Sequence, residues 1–177
     1  FVAGGRGMSA QTLKLMAFDV DGVFTDGTLY YGADGDTLKA FSILDGLGLK
    51  LLRHLGIEVA IITGRRSPMV SHRFTELGVD HIIQAREDKG TALLELANTL
   101  HLEKKDLGYM GDDYPDVSAA DKAGFFASVP NAPVAVQDRA AFVTQVKGGH
   151  GAVREVCEHI IVARGLDPLT VFEEMSA

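Results

Sequence analysis

The sequence predicts an α/β fold built on a mostly parallel sheet, and the order of its apolar segments is the main evidence. Short apolar runs of the kind that form buried strands occur at 14–20, 57–63, 106–110 and 125–129, with a shorter candidate at 81–84. Helical patterns separate these runs. Strands that alternate with helices form βαβ units, in which the strands pair in parallel.

The predicted helices lie between these strands, and one more follows the last of them. The helical patterns cover 47–55, 68–77, 89–100, 115–123 and 153–164. Pro68 and Pro115 stand where the first turn of a helix tolerates proline. Residues 28–31 and 37–41 flank a Gly-Ala-Asp-Gly turn, which predicts a β-hairpin inserted after the first strand. We therefore expect a Rossmann-like sheet flanked by helices, with a small hairpin insertion.

Composition limits the class of protein. With 177 residues, 46% hydrophobic and 23% charged, the chain can bury one core of ordinary size. Because residues 1–7 are rich in glycine, we expect a flexible extension over 1–12 and a single domain over 13–177. The formal net charge of −7 argues against nucleic acid or an anionic membrane as a partner. The single cysteine, Cys157, suits a reducing, cytoplasmic setting.

Carboxylates follow the first predicted strand at the point where it ends. Asp19 and Asp21 stand two residues apart, and Gly22 lets the chain turn away tightly. A calcium loop of the EF-hand type is excluded, because Val23 and Tyr30 occupy positions that need oxygen ligands. Two exposed acids in a turn remain an alternative for this motif alone.

A second acidic cluster, Asp112, Asp113 and Asp116, follows the predicted strand that ends at Met110. In an open parallel sheet, ligands bind outside the carboxyl ends of the strands. Acids gathered there from two strands would repel one another unless a cation lay among them. Oxygen ligands without nearby His or Cys favour Mg²⁺ over zinc. The alternative is that Asp113 or Asp116 caps the next helix.

Two further positions suit the binding of a phosphate. Thr63, followed by Gly64 and Arg65, ends another strand, so a hydroxyl and backbone N–H groups can bind phosphate oxygens. Lys89 begins a helix, where the helix dipole disfavours a cation. This position makes better sense if the lysine faces an anion, the alternative being a solvated surface lysine.

These residues together resemble the four ordered motifs of the haloacid dehalogenase superfamily: Asp19-x-Asp21-Gly-Val-x-Thr25, then Thr63, Lys89 and Gly111-Asp112-Asp113-x-x-Asp116. The chain is similar, more narrowly, to the 3-deoxy-D-manno-octulosonate 8-phosphate phosphatases of that superfamily. The shared features are residues 21–27, the hairpin, Asp45-Gly46, Thr63-Gly-Arg65 and residues 148–155. The resemblance implies a phosphatase that releases a free sugar acid in lipopolysaccharide biosynthesis.

The resemblance also implies a role for each residue of these motifs. Asp19 is the expected nucleophile, and Asp21 the acid that protonates the leaving sugar oxygen. The expected Mg²⁺ ligands are Asp19, the main-chain carbonyl of Asp21, and Asp112. Thr63 and Lys89 would stabilise the phosphate oxygens, while Asp113 and Asp116 orient Lys89 or the metal ligands. The expected substrate contacts are Asp21, Ser42, Asp45, Gly46, Lys50, Arg65, Arg73 and Lys89.

Three positions depart from the family pattern. Leu44 stands where relatives often carry arginine, Ala85 replaces a common glycine, and His150 stands where Lys or Arg is usual. None of them is a catalytic acid, so they bear on substrate affinity. One enzymatic alternative is a phosphatase for a nine-carbon sugar-acid phosphate, but that group tends to have Glu where this chain has Arg65. A nonenzymatic regulatory domain is the other, and the intact Asp19 and Asp21 argue against it.

The resemblance further implies a homotetramer without a cap domain. Many phosphatases of the superfamily cover the site with a separate cap, but the stretch from Asp21 to Thr63 is filled by the hairpin, a helix and a strand. The hairpin carries apolar side chains that a two-stranded ribbon cannot bury alone. We expect hairpins to join at the centre of the tetramer and residues 148–154 to reach an adjacent site. A solvated tail is the alternative for that last segment.

Overall fold

A computed structural model describes residues 9–177, and a six-stranded parallel sheet forms its centre. The strands are β1 (Leu15–Phe18), β2 (Tyr30–Gly32), β3 (Gly35–Leu38), β4 (Glu58–Ile62), β5 (His81–Ile83), β6 (Leu107–Met110), β7 (Phe125–Ser128) and β8 (Phe142–Val143). The sheet has the order β5-β4-β1-β6-β7-β8, and all its neighbours pair in parallel. The antiparallel pair β2–β3 is the predicted hairpin. The predicted fold class is confirmed.

Helices connect the strands of the sheet. They are α1 (Ile43–His54), α2 (Pro68–Glu76), α3 (Lys89–Thr99), α4 (Val117–Lys122), α5 (Val134–Gln137), α6 (Ala152–Ala163) and α7 (Pro168–Ser176). Helix α1 packs against α6, and α3 packs against α4. Among residues 9–177, no helix combines the length and the apolar character that a membrane crossing requires.

Helix α1 begins earlier than the sequence pattern predicts. The hydroxyl of Ser42 accepts a hydrogen bond from the Leu44 N–H at 3.2 Å, which caps the helix at its start. Two glycines inside the first turns, Gly46 and Gly48, weaken the helical signal there. Both are needed for packing: a Cβ at Gly46 would meet Arg73, and one at Gly48 would meet Cys157.

The folded part of the chain starts before the expected boundary at residue 13. Residues 1–8 of the expected extension lie outside the described part of the chain. Ala10–Thr12 form a 3₁₀-helix in which Ala10 is buried. The hydroxyl of Thr12 donates a hydrogen bond to the carbonyl of Lys105 at 3.2 Å. These residues therefore pack against the domain, which differs from the expectation of a flexible segment up to residue 12.

The topology of the sheet determines where the site lies. Strand β1 is central and completely buried; β4 lies on one side of it and β6 on the other. The chain winds outward from β1 to β4 and β5 and then returns to the opposite side. This reversal opens a crevice at the carboxyl ends of the strands. Asp19, Thr63 and Gly111 are the first residues after β1, β4 and β6, so all three lie at that crevice.

Candidate active site

A cleft of about 680 Å³ opens at the carboxyl edge of the sheet. It brings together residues that are far apart in the sequence and that follow four different elements. The lining residues are Asp19, Asp21, Gly27, Thr63, Gly64, Arg65, Glu87, Lys89, Asp112, Asp113, Pro115 and Asp116. All the expected catalytic positions therefore share one cavity.

Asp19 is a buried carboxylate at the end of β1. Its Oδ1 accepts a hydrogen bond from the Val20 N–H at 2.8 Å, and its Oδ2 lies 2.8 Å from Nζ of Lys89. Burial, followed by repulsion from Asp116, raises the pKa of Asp19 to about 7, although Lys89 opposes the shift. The side chain is thus held by one partner on each oxygen, and additional positive charge nearby would favour its ionised form.

Lys89 is buried at the start of α3 and bridges two carboxylates. Its Nζ is 2.8 Å from Oδ2 of Asp19 and 2.8 Å from Oδ1 of Asp116. Burial alone would lower its pKa, but the charges of Asp19 and Asp116 outweigh burial and raise the pKa of Lys89. The lysine is therefore a fixed cation that faces anions in the cleft and is not a solvated surface residue.

Asp116 is fully engaged by hydrogen bonds. Besides Lys89, its Oδ1 accepts a hydrogen bond from the hydroxyl of Tyr109 at 2.7 Å. Its Oδ2 accepts from the N–H groups of Asp112 and Asp113, at 2.9 and 3.1 Å. Asp116 thus ties the loop after β6 to Lys89. Sequence reasoning missed Tyr109, because it lies inside an apolar strand and reads as a core residue.

Asp113 stands at the start of a short helix after β6. Its carboxylate accepts the N–H of Tyr114 at 2.8 Å and caps the 3₁₀-helix Tyr114–Asp116. The residue is exposed at the edge of the cleft. Its cap hydrogen bond fixes the loop and not Lys89, so the capping alternative holds for Asp113, whereas Asp116 contacts the lysine directly.

Three carboxylates form a cluster suited to a hard divalent cation. Oxygens of Asp19, Asp112 and Asp116 all lie within 4.8 Å of one another. Burial, together with repulsion from Asp19 and Asp116, raises the pKa of Asp112 to about 8. Each oxygen of Asp116 already has two partners, whereas each oxygen of Asp19 has one, so Asp19 and Asp112 are the side chains with lone pairs left for a metal ion. This all-oxygen donor set fits Mg²⁺.

Gly22 keeps the space beside Asp112 open. Its φ of +86° is in the left-handed region, which glycine adopts without strain. A Cβ at this position would collide with the carboxylate of Asp112. The turn after β1 can therefore bring its backbone close to the acidic cluster, as main-chain ligation by Asp21 requires.

The Asp21 carboxylate has two basic partners. Its Oδ1 accepts a hydrogen bond from Nζ of Lys39 at 2.7 Å, and its Oδ2 lies 3.8 Å from Nε of Arg65. The guanidinium of Arg65 in turn donates to the hydroxyl of Tyr31 at 3.4 Å. Lys39 and Tyr31 belong to the hairpin region, and no local motif in the sequence connects either of them to Asp21.

Comparison with known proteins decides the family. Residues 81–156 match the family model of haloacid dehalogenase-like hydrolases. The chain is 40% identical over 156 residues to 3-deoxy-D-manno-octulosonate 8-phosphate phosphatase of Escherichia coli (strain K12), covering 88% of this chain and 83% of that protein. This chain belongs to the 3-deoxy-D-manno-octulosonate 8-phosphate phosphatase family.

Solved structures of the same family superimpose closely. The phosphatase from Moraxella catarrhalis, in complex with magnesium ion, phosphate ion and a KDO molecule, has a TM-score of 0.88 at 45% identity and covers 95% of each chain. The cobalt-bound phosphatase from Haemophilus influenzae has a TM-score of 0.88 at 34% identity, covering 93% of this chain and 98% of that one. Both relatives bind a divalent metal, which agrees with the fit of the acidic cluster to Mg²⁺.

The substrate contacts expected from the phosphatase family divide into two groups. Asp21, Arg65 and Lys89 line the cleft of their own chain. The others do not: Ser42 caps α1, and Asp45 is buried where its Oδ1 accepts the N–H of Arg154 at 3.0 Å. Gly46, Lys50 and Arg73 lie on the face formed by α1 and α2, where Arg73 pairs with Glu76 at 3.2 Å. Within one chain, three of the eight expected contact residues therefore line the cleft and five lie outside it.

The glycine-rich segment before α6 contacts the turn after β1 of its own chain. The Gly149 N–H donates to the carbonyl of Val23 at 3.1 Å. A Cβ at Gly148 would collide with the backbone of Gly22. In this phosphatase fold the segment packs on the turn after β1 of its own chain, because glycine permits two backbones to approach closely. It supports the catalytic loop directly.

Proposed function

We propose that this protein is a Mg²⁺-dependent phosphatase that hydrolyses 3-deoxy-D-manno-octulosonate 8-phosphate to the free sugar acid and phosphate, as a step of lipopolysaccharide biosynthesis. The observation that carries the proposal is the placement of Asp19 against Lys89 and within the acidic cluster, in the lining of an open cleft. Its relatives in the family carry that activity in their names, and one of them binds magnesium, phosphate and KDO.

The first step is a displacement at phosphorus. The Asp19 carboxylate attacks, an O–P bond to Asp19 forms, and the bond from phosphorus to the sugar oxygen breaks. Asp21 gives its proton to that sugar oxygen, so the sugar leaves as an alcohol. Lys89 and Thr63 hold the phosphate oxygens in line. Asp19, Asp112 and the Asp21 carbonyl would hold Mg²⁺, which would supply positive charge to offset that of the carboxylates and the phosphate.

The second step releases the phosphate. Water attacks the phosphorus of the aspartyl-phosphate, the bond to Asp19 breaks, and Asp21 accepts the proton that the water loses. Asp21 returns to its protonated form, and the Asp19 carboxylate is free again. Lys89 stays paired with Asp116 throughout, which keeps the charge at the site fixed while Asp19 changes state.

Arg65 is the residue proposed to recognise the acidic sugar. Its guanidinium is part exposed at the cleft and lies beside Asp21. A guanidinium binds a carboxylate through two parallel hydrogen bonds, which a neutral sugar cannot offer. This supports a sugar acid as the substrate in preference to a neutral sugar phosphate.

The proposed working form is a homotetramer. Leu29, Tyr30, Tyr31 and Leu38 are exposed on the hairpin, as is Ile43 next to it at 82%. Patches of this kind mark protein–protein contacts. Because Gly46, Lys50 and Arg73 lie outside their own cleft, we propose that they complete the cleft of a neighbouring copy. The single thiol of Cys157, free and buried, suits the reducing cytoplasm proposed as the location.

Phosphate release from a panel of substrates tests the activity. The panel contains the eight-carbon sugar-acid phosphate, a nine-carbon sugar-acid phosphate and glucose 6-phosphate, each with Mg²⁺ and with a chelator. We expect the eight-carbon substrate to have the highest kcat/KM and chelation to abolish release. A higher kcat/KM for the nine-carbon substrate would favour that alternative. Light scattering of the wild type and of Leu38→Glu tests the assembly: a fully active monomer would refute it.

A further inference from the structure

Lys39 is a buried lysine that contacts the proposed acid from outside the cleft. It follows β3, and its side chain is only 2% exposed. Its Nζ lies 2.7 Å from Oδ1 of Asp21 and 3.2 Å from Oδ2 of Asp36. It is not among the residues that line the cleft. A buried ammonium group is destabilising unless it is paired, so Lys39 depends on its ion pairs with these two carboxylates.

The pairing distinguishes the two oxygens of Asp21. Lys39 holds Oδ1, whereas Oδ2 lies on the side of Arg65, which lines the cleft. We propose that Lys39 is a positioning residue that fixes the Asp21 carboxylate so that Oδ2 meets the leaving sugar oxygen. This inference rests on the proposed function, because it assumes that Asp21 carries the proton.

The hairpin supplies the support behind this arrangement. Asp36 is part of β3 and binds the same ammonium group as Asp21, and Tyr31 of β2 accepts a hydrogen bond from Arg65. Both basic partners of Asp21 are thus held by residues of one hairpin. The geometry of the acid depends on where the hairpin sits as well as on β1. Any contact that fixes the hairpin therefore also fixes the proton donor.

The leaving group provides a specific test. A sugar oxygen leaves poorly without a proton, whereas p-nitrophenolate leaves readily without one. General acid catalysis contributes about 10²- to 10⁴-fold, so a misplaced acid loses part of this factor for the sugar substrate alone. With Lys39→Met we expect kcat for the sugar-acid phosphate to fall by about tenfold or more. We expect kcat for p-nitrophenyl phosphate to change by less than about threefold, because p-nitrophenolate leaves without needing a proton from Asp21.

Control variants separate a loss of Asp21 positioning from a general loss of folding. Lys39→Arg keeps a cationic donor and is expected to recover most of the lost rate. Lys14→Met removes a lysine that pairs with Asp106 at 3.3 Å, and it should leave both substrates unaffected. Retained activity on p-nitrophenyl phosphate shows that Lys39→Met has folded. If circular dichroism shows that Lys39→Met does not fold, Lys39→Arg decides: a positioning role requires its remaining loss of kcat to be larger on the sugar-acid phosphate than on p-nitrophenyl phosphate.

Two outcomes would overturn the inference. Equal loss on both substrates would show that Lys39 serves the fold and not the proton donor. Wild-type kcat of Lys39→Met on the sugar-acid phosphate, with Asp21→Asn inactive, would overturn the positioning role and leave the proposed function standing. If Asp21→Asn also keeps the wild-type rate, the proposed role of Asp21 fails together with that of Lys39.

Discussion

The hydroxyl of Tyr109 and the ammonium group of Lys89 bind the same oxygen of Asp116, at 2.7 and 2.8 Å. Tyr109 is completely buried in β6, and burial raises the pKa of its hydroxyl well above the usual value, so it remains a donor. The core of the sheet thereby fixes Asp116, and Asp116 fixes Lys89. A residue that never reaches the cleft contributes to the placement of a cation within it.

Tyr109→Phe removes this donor and leaves the aromatic ring in place. We expect kcat to fall by several-fold and the free energy of unfolding to drop by about 1 kcal/mol, the typical worth of one hydrogen bond. Asp116→Asn should be more damaging, because it also removes the charge that holds Lys89. Tyr114→Phe, at an exposed tyrosine five residues away, is the matched control. An unchanged kcat for Tyr109→Phe would show that Asp116 needs no such support.

Magnesium affinity should rise with pH. Burial and mutual repulsion raise the pKa of Asp19 to about 7 and that of Asp112 to about 8 in the metal-free protein. Protons therefore compete with the metal below about pH 8, and binding must release them. Calorimetric titration at pH 6 and pH 8.5 should show tighter binding at the higher pH, with proton release at the lower. Equal affinity at both values would contradict the assigned ligands.

The same shifts predict the stability of the metal-free protein. From the ordinary carboxyl pKa of 3.8 up to about 7 and 8, the folded state binds more protons than the unfolded state. Its free energy of unfolding must then decrease as pH rises through that range. Melting temperatures in chelator should fall from pH 5 to pH 8.5, and Mg²⁺ should reverse the loss. A rise in Tm over this range in chelator would show that the pKa values of these two carboxyls are not raised in the folded protein.

Arg65→Ala should alter selectivity more than chemistry. If the guanidinium binds the sugar carboxylate, its removal raises KM for the sugar-acid phosphate by about tenfold or more, as expected for a lost charge-assisted pair. KM for a neutral phosphate ester should change little. Arg66→Ala, at the exposed neighbour, is the control. Equal increases for both esters would indicate a general role of Arg65 in phosphate binding.

The sheet and the acidic cluster were predictable because their signals are local. Apolar runs that end in Asp19 or in Gly111-Asp112 place both groups at strand ends, and parallel strands end on the same edge. The contact between Lys89 and Asp19 follows from the same topology. The β8 strand and helix α7 were missed: one is only two residues long, and the other lies beyond the recognised motifs.

The residues that surround the Asp21 carboxylate come from distant parts of the sequence. Their contacts depend on long-range packing and were not predictable from the sequence. In the sequence, Lys39 looks like an ordinary charged residue beside a hairpin. Its contact with Asp21 forms only when the hairpin folds against the cleft. Asp45 shows the reverse case. The resemblance marked it as a substrate contact, but in this chain its carboxylate caps the start of α6. A motif identifies a position, and the packing decides which groups that position contacts.

The most direct test of the account is to detect phosphate bound covalently to Asp19. Enzyme with Mg²⁺ is mixed with the sugar-acid phosphate carrying a labelled phosphoryl group and quenched in acid within one turnover. We predict one labelled peptide, the one that contains Asp19, and slower labelling in Asp21→Asn, which cannot protonate the leaving sugar oxygen. Asp19→Asn should show neither label nor turnover. Steady turnover by the wild type without any labelled intermediate, or turnover by Asp19→Asn near the wild-type rate, would contradict the mechanism.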